Sequence, residues 1–157
     1  MASILLIYGT TGGNTEIVAE AVSDGVEERG HEVKLMRIEK YLLDEVFAEI
    51  EKCDVMMIAA PTYGHGEMQM DLKPFLKELS GRDLKGKKCI VVGLGEAKYD
   101  DHYHIASVPI LEELLTGVGA ELVFRPLRIS GNPATHLDRL IPLWIGQFCD
   151  FLEHSGT

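Results

Sequence analysis

Residues 9–16 read Gly9-Thr10-Thr11-Gly12-Gly13-Asn14-Thr15-Glu16 and follow the apolar run Ile4-Leu5-Leu6-Ile7-Tyr8. A loop of this kind between a strand and a helix makes an anion site. Glycines let several backbone N–H groups converge, the hydroxyls of Thr10, Thr11 and Thr15 and the Asn14 amide add donors, and the helix dipole favours negative charge. No Lys follows the loop, so it lacks the cation with which a nucleoside-triphosphate loop meets the outer phosphates. The spacing is not Gly-x-Gly-x-x-Gly either. A single phosphate monoester held by neutral donors fits this chemistry.

Two further segments place an aromatic among residues that permit tight turns. One is Pro61-Thr62-Tyr63-Gly64-His65-Gly66-Glu67; the other is Gly93-Leu94-Gly95-Glu96-Ala97-Lys98-Tyr99-Asp100-Asp101-His102-Tyr103-His104. Flat heteroaromatic rings gain dispersion and area burial between aromatic side chains, and backbone amides beside glycines can read a ring's edge. With the phosphate loop, these segments describe a site for a planar, phosphorylated ligand. His102 and His104 beside Asp100 and Asp101 lack a second pair to complete a tetrahedral metal site, so no metal is expected. Met56, Met57 and Met70 read as packing residues.

Such loops need a scaffold that gathers them. Apolar runs of strand length alternate with segments of helical period, the signature of βαβ units and a parallel sheet covered on both faces. Strand one is Ser3 to Tyr8, and the helix after Asn14 carries Val18, Ala21, Val22 and Val26 before Gly30 ends it. Strand two is Glu32 to Arg37, followed by a helical stretch around Val46, Phe47 and Ile50. Asp54 to Ala60 is a central strand that Pro61 stops. Leu72, Phe75, Leu76 and Leu79 form a stripe with Pro74 at the helix start. Cys89 to Gly93 is the fourth strand, and a helix entered around Pro109 presents Val108, Leu111, Leu115 and Val118. Ala120 to Phe124 and Leu127 to Ile129 form one fifth strand interrupted at Pro126. A last helix carries Leu137, Ile141, Trp144, Ile145, Phe148 and Leu152, and Pro142 kinks it or marks its start. In such a sheet ligands bind beyond the carboxyl ends of the strands, where the loops after strands one, three and four all lie.

The chain has 157 residues, 46% of them hydrophobic, which predicts one compact α/β domain over residues 1–157. Its formal net charge of −10 argues against nucleic acid and anionic membrane as partners and favours basic proteins. Cys53, Cys89 and Cys149 are scattered and odd in number, so neither a disulfide framework nor a thiolate metal site is indicated. The N-terminus has no secretory pattern and the apolar runs fall far short of a bilayer span, which makes the cytoplasm the expected location.

The phosphate pattern at Thr10, Gly13, Asn14 and Thr15, the Tyr63-Gly64 pair and the Gly93-Leu94-Gly95 to Tyr99 loop resemble those of the flavodoxin family. Gly119-Ala120-Glu121-Leu122-Val123 and Leu127-Arg128-Ile129-Ser130-Gly131-Asn132-Pro133 also look like family counterparts. The resemblance covers essentially the whole chain and points to the short-chain type. It implies a doubly wound, five-stranded parallel sheet in the order 2-1-3-4-5 within three α/β/α layers, binding one FMN at the switch point between strands one and three. On that resemblance Thr10, Thr11, Gly12, Gly13, Asn14 and Thr15 surround the phosphate. Pro61, Thr62, Tyr63, Gly64, His65, Gly93, Leu94, Gly95, Glu96, Tyr99, His102 and Tyr103 surround the ring, with Tyr63 and Tyr99 flanking it. The Gly64 peptide is expected to flip on reduction. The implied function is a low-potential electron carrier between redox enzymes, shuttling between flavin semiquinone and hydroquinone. On that resemblance no activity as an enzyme and no catalytic residue are expected. Reductases and electron acceptors with basic docking surfaces are the expected partners of a monomer.

Two departures stand out. Where the family pattern has Thr, this chain has Gly12. A neutral hydrogen bond contributes about 0.5–1.5 kcal/mol, and one to a charged group about 1.5–3, so weaker but retained FMN binding is expected. His65 and Gly66 stand where many relatives place acids beside the ring, with His102 and His104 in the neighbouring loop. One unit charge removed from about 10 Å changes a one-electron potential by roughly 20–70 mV, so a less negative lower potential is expected. The alternative is an FMN-dependent NAD(P)H quinone or nitro-compound reductase on the same fold, which needs a nicotinamide surface and an oligomer. A phosphorelay receiver is disfavoured, because Tyr8-Gly9-Thr10, Ala60-Pro61-Thr62 and Ile129-Ser130-Gly131 lack its acids and lysine. A flavin-free interaction module rests on Gly12 alone.

Overall fold

A computed structural model describes residues 1–63, 67–95 and 105–155. The continuous apolar runs become the inner strands of a parallel sheet: β1 (Ser3–Tyr8), β2 (Glu32–Arg37), β3 (Val55–Tyr63) and β5 (Lys88–Gly95). The sheet order is β2-β1-β3-β5, and β6 (Glu121–Leu122) and β7 (Leu127–Ser130) both lie parallel to β5. A short β4 (Glu67–Met68) returns antiparallel to the end of β3, pairing Thr62 with Met68 and Tyr63 with Glu67. Counting β6 and β7 as one interrupted strand gives the expected order 2-1-3-4-5.

Successive side chains on a strand point to opposite faces, so each inner strand feeds two cores. Ile4, Leu6, Val55, Met57, Ile90 and Val92 pack on one face against α1 (Asn14–Glu28) and α5 (Leu140–His154). Leu5, Ile7, Met56, Ile58, Cys89 and Val91 pack on the other against α2 (Leu43–Lys52), α3 (Lys73–Ser80) and α4 (Ser107–Gly117). The result is three α/β/α layers. All three cysteines are buried, and burial pushes the thiol of Cys89 up to about 12 and that of Cys149 up to about 11. They act as small apolar packing groups.

The prolines divide the expectations. Pro74 sits in the first turn of α3, where a missing N–H costs little, and Pro142 lies in the first turn of α5, so it marks a start and not a kink. Pro61 does not stop its strand. It stays in β3 opposite Leu94 of β5, beyond the last β1 pairing of Tyr8 with Ala59, so on the β1 side it lies past the end of the ladder. Likewise Gly93, Leu94 and Gly95 are not loop residues. They close β5, held opposite Arg128, Ile129 and Ser130 of β7. Between β6 and β7 the Arg125 carbonyl accepts from the Trp144 indole N–H at 3.1 Å, which satisfies backbone where Pro126 interrupts the strand.

Candidate cofactor site at the carboxyl edge of the sheet

The loop after β1 is held by its own residues. Gly13 precedes α1 with φ of 91°, a left-handed conformation that disfavours other residues, and its N–H donates to Thr10 Oγ1 at 2.9 Å. Thr10 is buried, which fixes that acceptor. No side chain caps α1, so the first N–H groups of the helix, which have no intrahelical partner, remain to receive an anion. Thr15 is only 1% exposed, and its Oγ1 has no hydrogen-bond partner among the described residues. A buried hydroxyl without a partner costs free energy, and an anion at this helix start would satisfy it.

Thr10, Gly12, Asn14 and Thr15 line a pocket of about 160 Å³ together with Pro61, Thr62, Leu94, Gly95 and Gly131. That is below the ~300–1,000 Å³ of a pocket for a whole small molecule and suits one phosphate group with its point of attachment. Among the described residues no lysine or arginine lines it. Glu16 in the first turn of α1 is paired with Arg37 at 2.9 Å, and Arg37 also meets Glu39, so the nearby carboxylate is partly offset. Burial, then Glu16, pushes the Tyr8 phenol above its ordinary range.

Four expected contacts have more specific settings. Thr62 lines the pocket, yet its Oγ1 accepts from the Ser107 N–H at 2.9 Å while Ser107 Oγ donates to the Ala60 carbonyl at 3.1 Å. Thr62 therefore ties β3 to the start of α4. Gly93 lies under the same helix start, where a Cβ would stand 2.4 Å from Val108 Cγ2 and 2.9 Å from Ser107 Oγ. Thr11 is exposed and its Oγ1 accepts from Gln69 Nε2 at 3.3 Å. At Gly12 a Cβ would meet nothing within 4 Å. Gly64, His65, Glu96, Tyr99, His102 and Tyr103 lie outside the described residues, and Tyr63 is placed through its backbone pairing with Glu67.

Two residues enter the site without having been singled out for it. Gly131, with φ of 77°, lines the pocket and donates its N–H to the Gly95 carbonyl at 2.9 Å. Its signal is the Ser130-Gly131-Asn132-Pro133 turn at the end of the last strand. Gln69 braces the loop after β1 from the end of β4, and an isolated glutamine gives no signal. Among the described residues no His, Cys, Asp and Glu group could hold a metal.

Among the described residues these donors suit the phosphate end of FMN: neutral hydroxyls, a buried hydroxyl without a partner, helix amides without an intrahelical partner and no cation. The model of the flavodoxin family matches residues 6–144. A flavodoxin of Maridesulfovibrio salexigens is 34% identical over 136 residues, 85% of this chain and 89% of that protein. One of Nitratidesulfovibrio vulgaris is 31% identical over 151 residues, 94% of this chain and 97% of that protein. The crystal structure of oxidised Flavodoxin 1 from Bacillus cereus superposes with a TM-score of 0.80 at 25% identity, over 98% of this chain and 99% of that one. Sheet order, family model and relatives agree: the chain belongs to the flavodoxin family of FMN-binding electron-transfer proteins.

Proposed function

We propose that this chain carries single electrons between redox proteins and has no substrate of its own. The observation behind that reading is the pocket at the sheet's carboxyl edge, with its neutral donors and the unpartnered Thr15 hydroxyl. FMN, when bound, supplies a centre that accepts and releases electrons one at a time. Asn14, Thr15 and the first amides of α1 would hold its phosphate, while Thr10 keeps the loop closed through Gly13. Pro61 and Leu94 give the pocket apolar wall, and Gly95 and Gly131 bring backbone up to it. Tyr63 and Tyr99 are proposed to flank the ring, with Gly64, His65, Glu96, His102 and Tyr103 near its edge.

The net charge of −10 supports docking to reductases and acceptors with basic surfaces, because complementary charge raises encounter rates and orients partners. We place the protein in the cytoplasm as a monomer. No helix among the described residues is long and apolar enough to cross a membrane. Photoreduction of the FMN-loaded protein tests the carrier reading. A persistent one-electron-reduced spectrum, with no NADH oxidation in the presence of a quinone, is expected. Steady NADH oxidation without a partner reductase would instead establish a reductase.

A further inference from the structure

Gln69 lies just after β4 and is 1% exposed, and every polar atom of its carboxamide is used. Its Nε2 donates to Thr11 Oγ1 at 3.3 Å and to Asp71 Oδ2 at 2.8 Å, and its Oε1 accepts from the Leu72 N–H at 3.1 Å. The Leu72 N–H can meet only an oxygen, which settles the orientation of the amide. Gly9 leaves the room for it, since a Cβ there would stand 2.3 Å from Gln69 Oε1 and 2.9 Å from Leu72 Cγ. A buried carboxamide is costly unless satisfied, and this one is satisfied by segments on both sides of the site.

The hairpin it braces is short. β4 contacts β3 through two residue pairs, and so brief a ladder is marginal without outside anchors. Pairing of Pro61 with Leu94 anchors its incoming strand, and Gln69 anchors its outgoing end to the phosphate loop. We propose that Gln69 is a positioning residue that ties the phosphate loop to the β3–β4 hairpin through Thr11, so that the one-electron potentials of bound FMN depend on a side chain outside the phosphate pocket. The proposal rests on the carrier reading only through the cofactor.

Thr11→Val, Gln69→Met and the double variant test it. Apoprotein is titrated with FMN and with riboflavin, and both one-electron potentials are measured on the FMN-loaded protein. Loss of one neutral hydrogen bond corresponds to roughly a three- to tenfold fall in affinity. That fall is expected in Thr11→Val for both ligands, and Gln69→Met, which also removes the bonds to Asp71 and from the Leu72 N–H, is expected to lose at least as much, each with a potential shift of the same sign. The double variant is expected to be no worse than Gln69→Met, because Gln69→Met already removes the link to Thr11. Additive losses, unchanged potentials, or a loss confined to FMN overturn the proposal. Thr11 is exposed, so Thr11→Val reports even where Gln69→Met does not fold. Wild-type apoprotein that takes up no FMN overturns the cofactor reading as well, which separates the two failures.

Discussion

The ends of β1 and β5 lie on the same edge of the sheet and both are rich in glycine, yet glycine answers a different need at each. After β1, Gly13 supplies a left-handed turn and Gly12 faces open space, so the loop keeps its amides and pocket accessible. At the end of β5, Gly93 supplies absence of volume, because the start of α4 lies where a Cβ would go. Gly9 belongs to this second kind, as it makes room for Gln69. A glycine-rich segment at a ligand-binding edge is therefore two things: backbone shaped for a guest, and backbone crowded by its own helices.

Four substitutions press on that contrast. Thr15→Val should weaken FMN binding by about 1.5–3 kcal/mol, since the hydroxyl would meet a charged group, while the apoprotein loses nothing because that hydroxyl has no partner among the described residues. Fluorescence titration and urea unfolding read the two effects separately. Gly93→Ala should do the reverse, costing about 1–3 kcal/mol of apoprotein stability through overpacking against Val108. A variant of unchanged stability that lost FMN would place Gly93 with the guest and collapse the distinction. Gly12→Thr should leave stability unchanged, as nothing lies within 4 Å of the new Cβ, and tighten FMN by about 0.5–1.5 kcal/mol where its hydroxyl reaches the pocket.

The smallest effect is expected at the opposite, amino-terminal end of the strands, which serves as a control. Hydrogen bonds from Arg29, then from His31, hold the exposed Glu153 carboxyl below the usual carboxylate range. A depressed folded-state pKa adds stability above the unfolded value, and that contribution is lost as pH falls through the folded one. Glu153→Gln should therefore lower Tm slightly at neutral pH, converge with wild type below the carboxylate range, and leave FMN affinity alone. An altered FMN affinity would show that the two ends are coupled.

Much of this architecture was legible along the chain. The apolar runs at Ile4–Ile7, Val55–Ala60 and Cys89–Val92 announced strands buried on both faces, because no solvent-facing alternation interrupts them. Thr10, Asn14 and Thr15 pointed to one site because donors, glycines and a helix start coincide there, and all three line the same pocket. Pro61 was misleading, since a strand-stopping proline presumes a ladder on both sides and β1 ends at Tyr8. Thr10 and Thr11 were indistinguishable by type, although one lines the pocket and the other accepts from Gln69.

Local chemistry and periodicity determined the α/β class and the placement of a glycine- and hydroxyl-rich loop between a strand end and a helix start, because each depends on residues a few positions apart. Only the tertiary structure decided which glycines face the pocket and which face a helix, and that Gln69 and Gly131 belong beside residues 9–15. Those assignments depend on distances between segments far apart in sequence, which packing sets and no local pattern records.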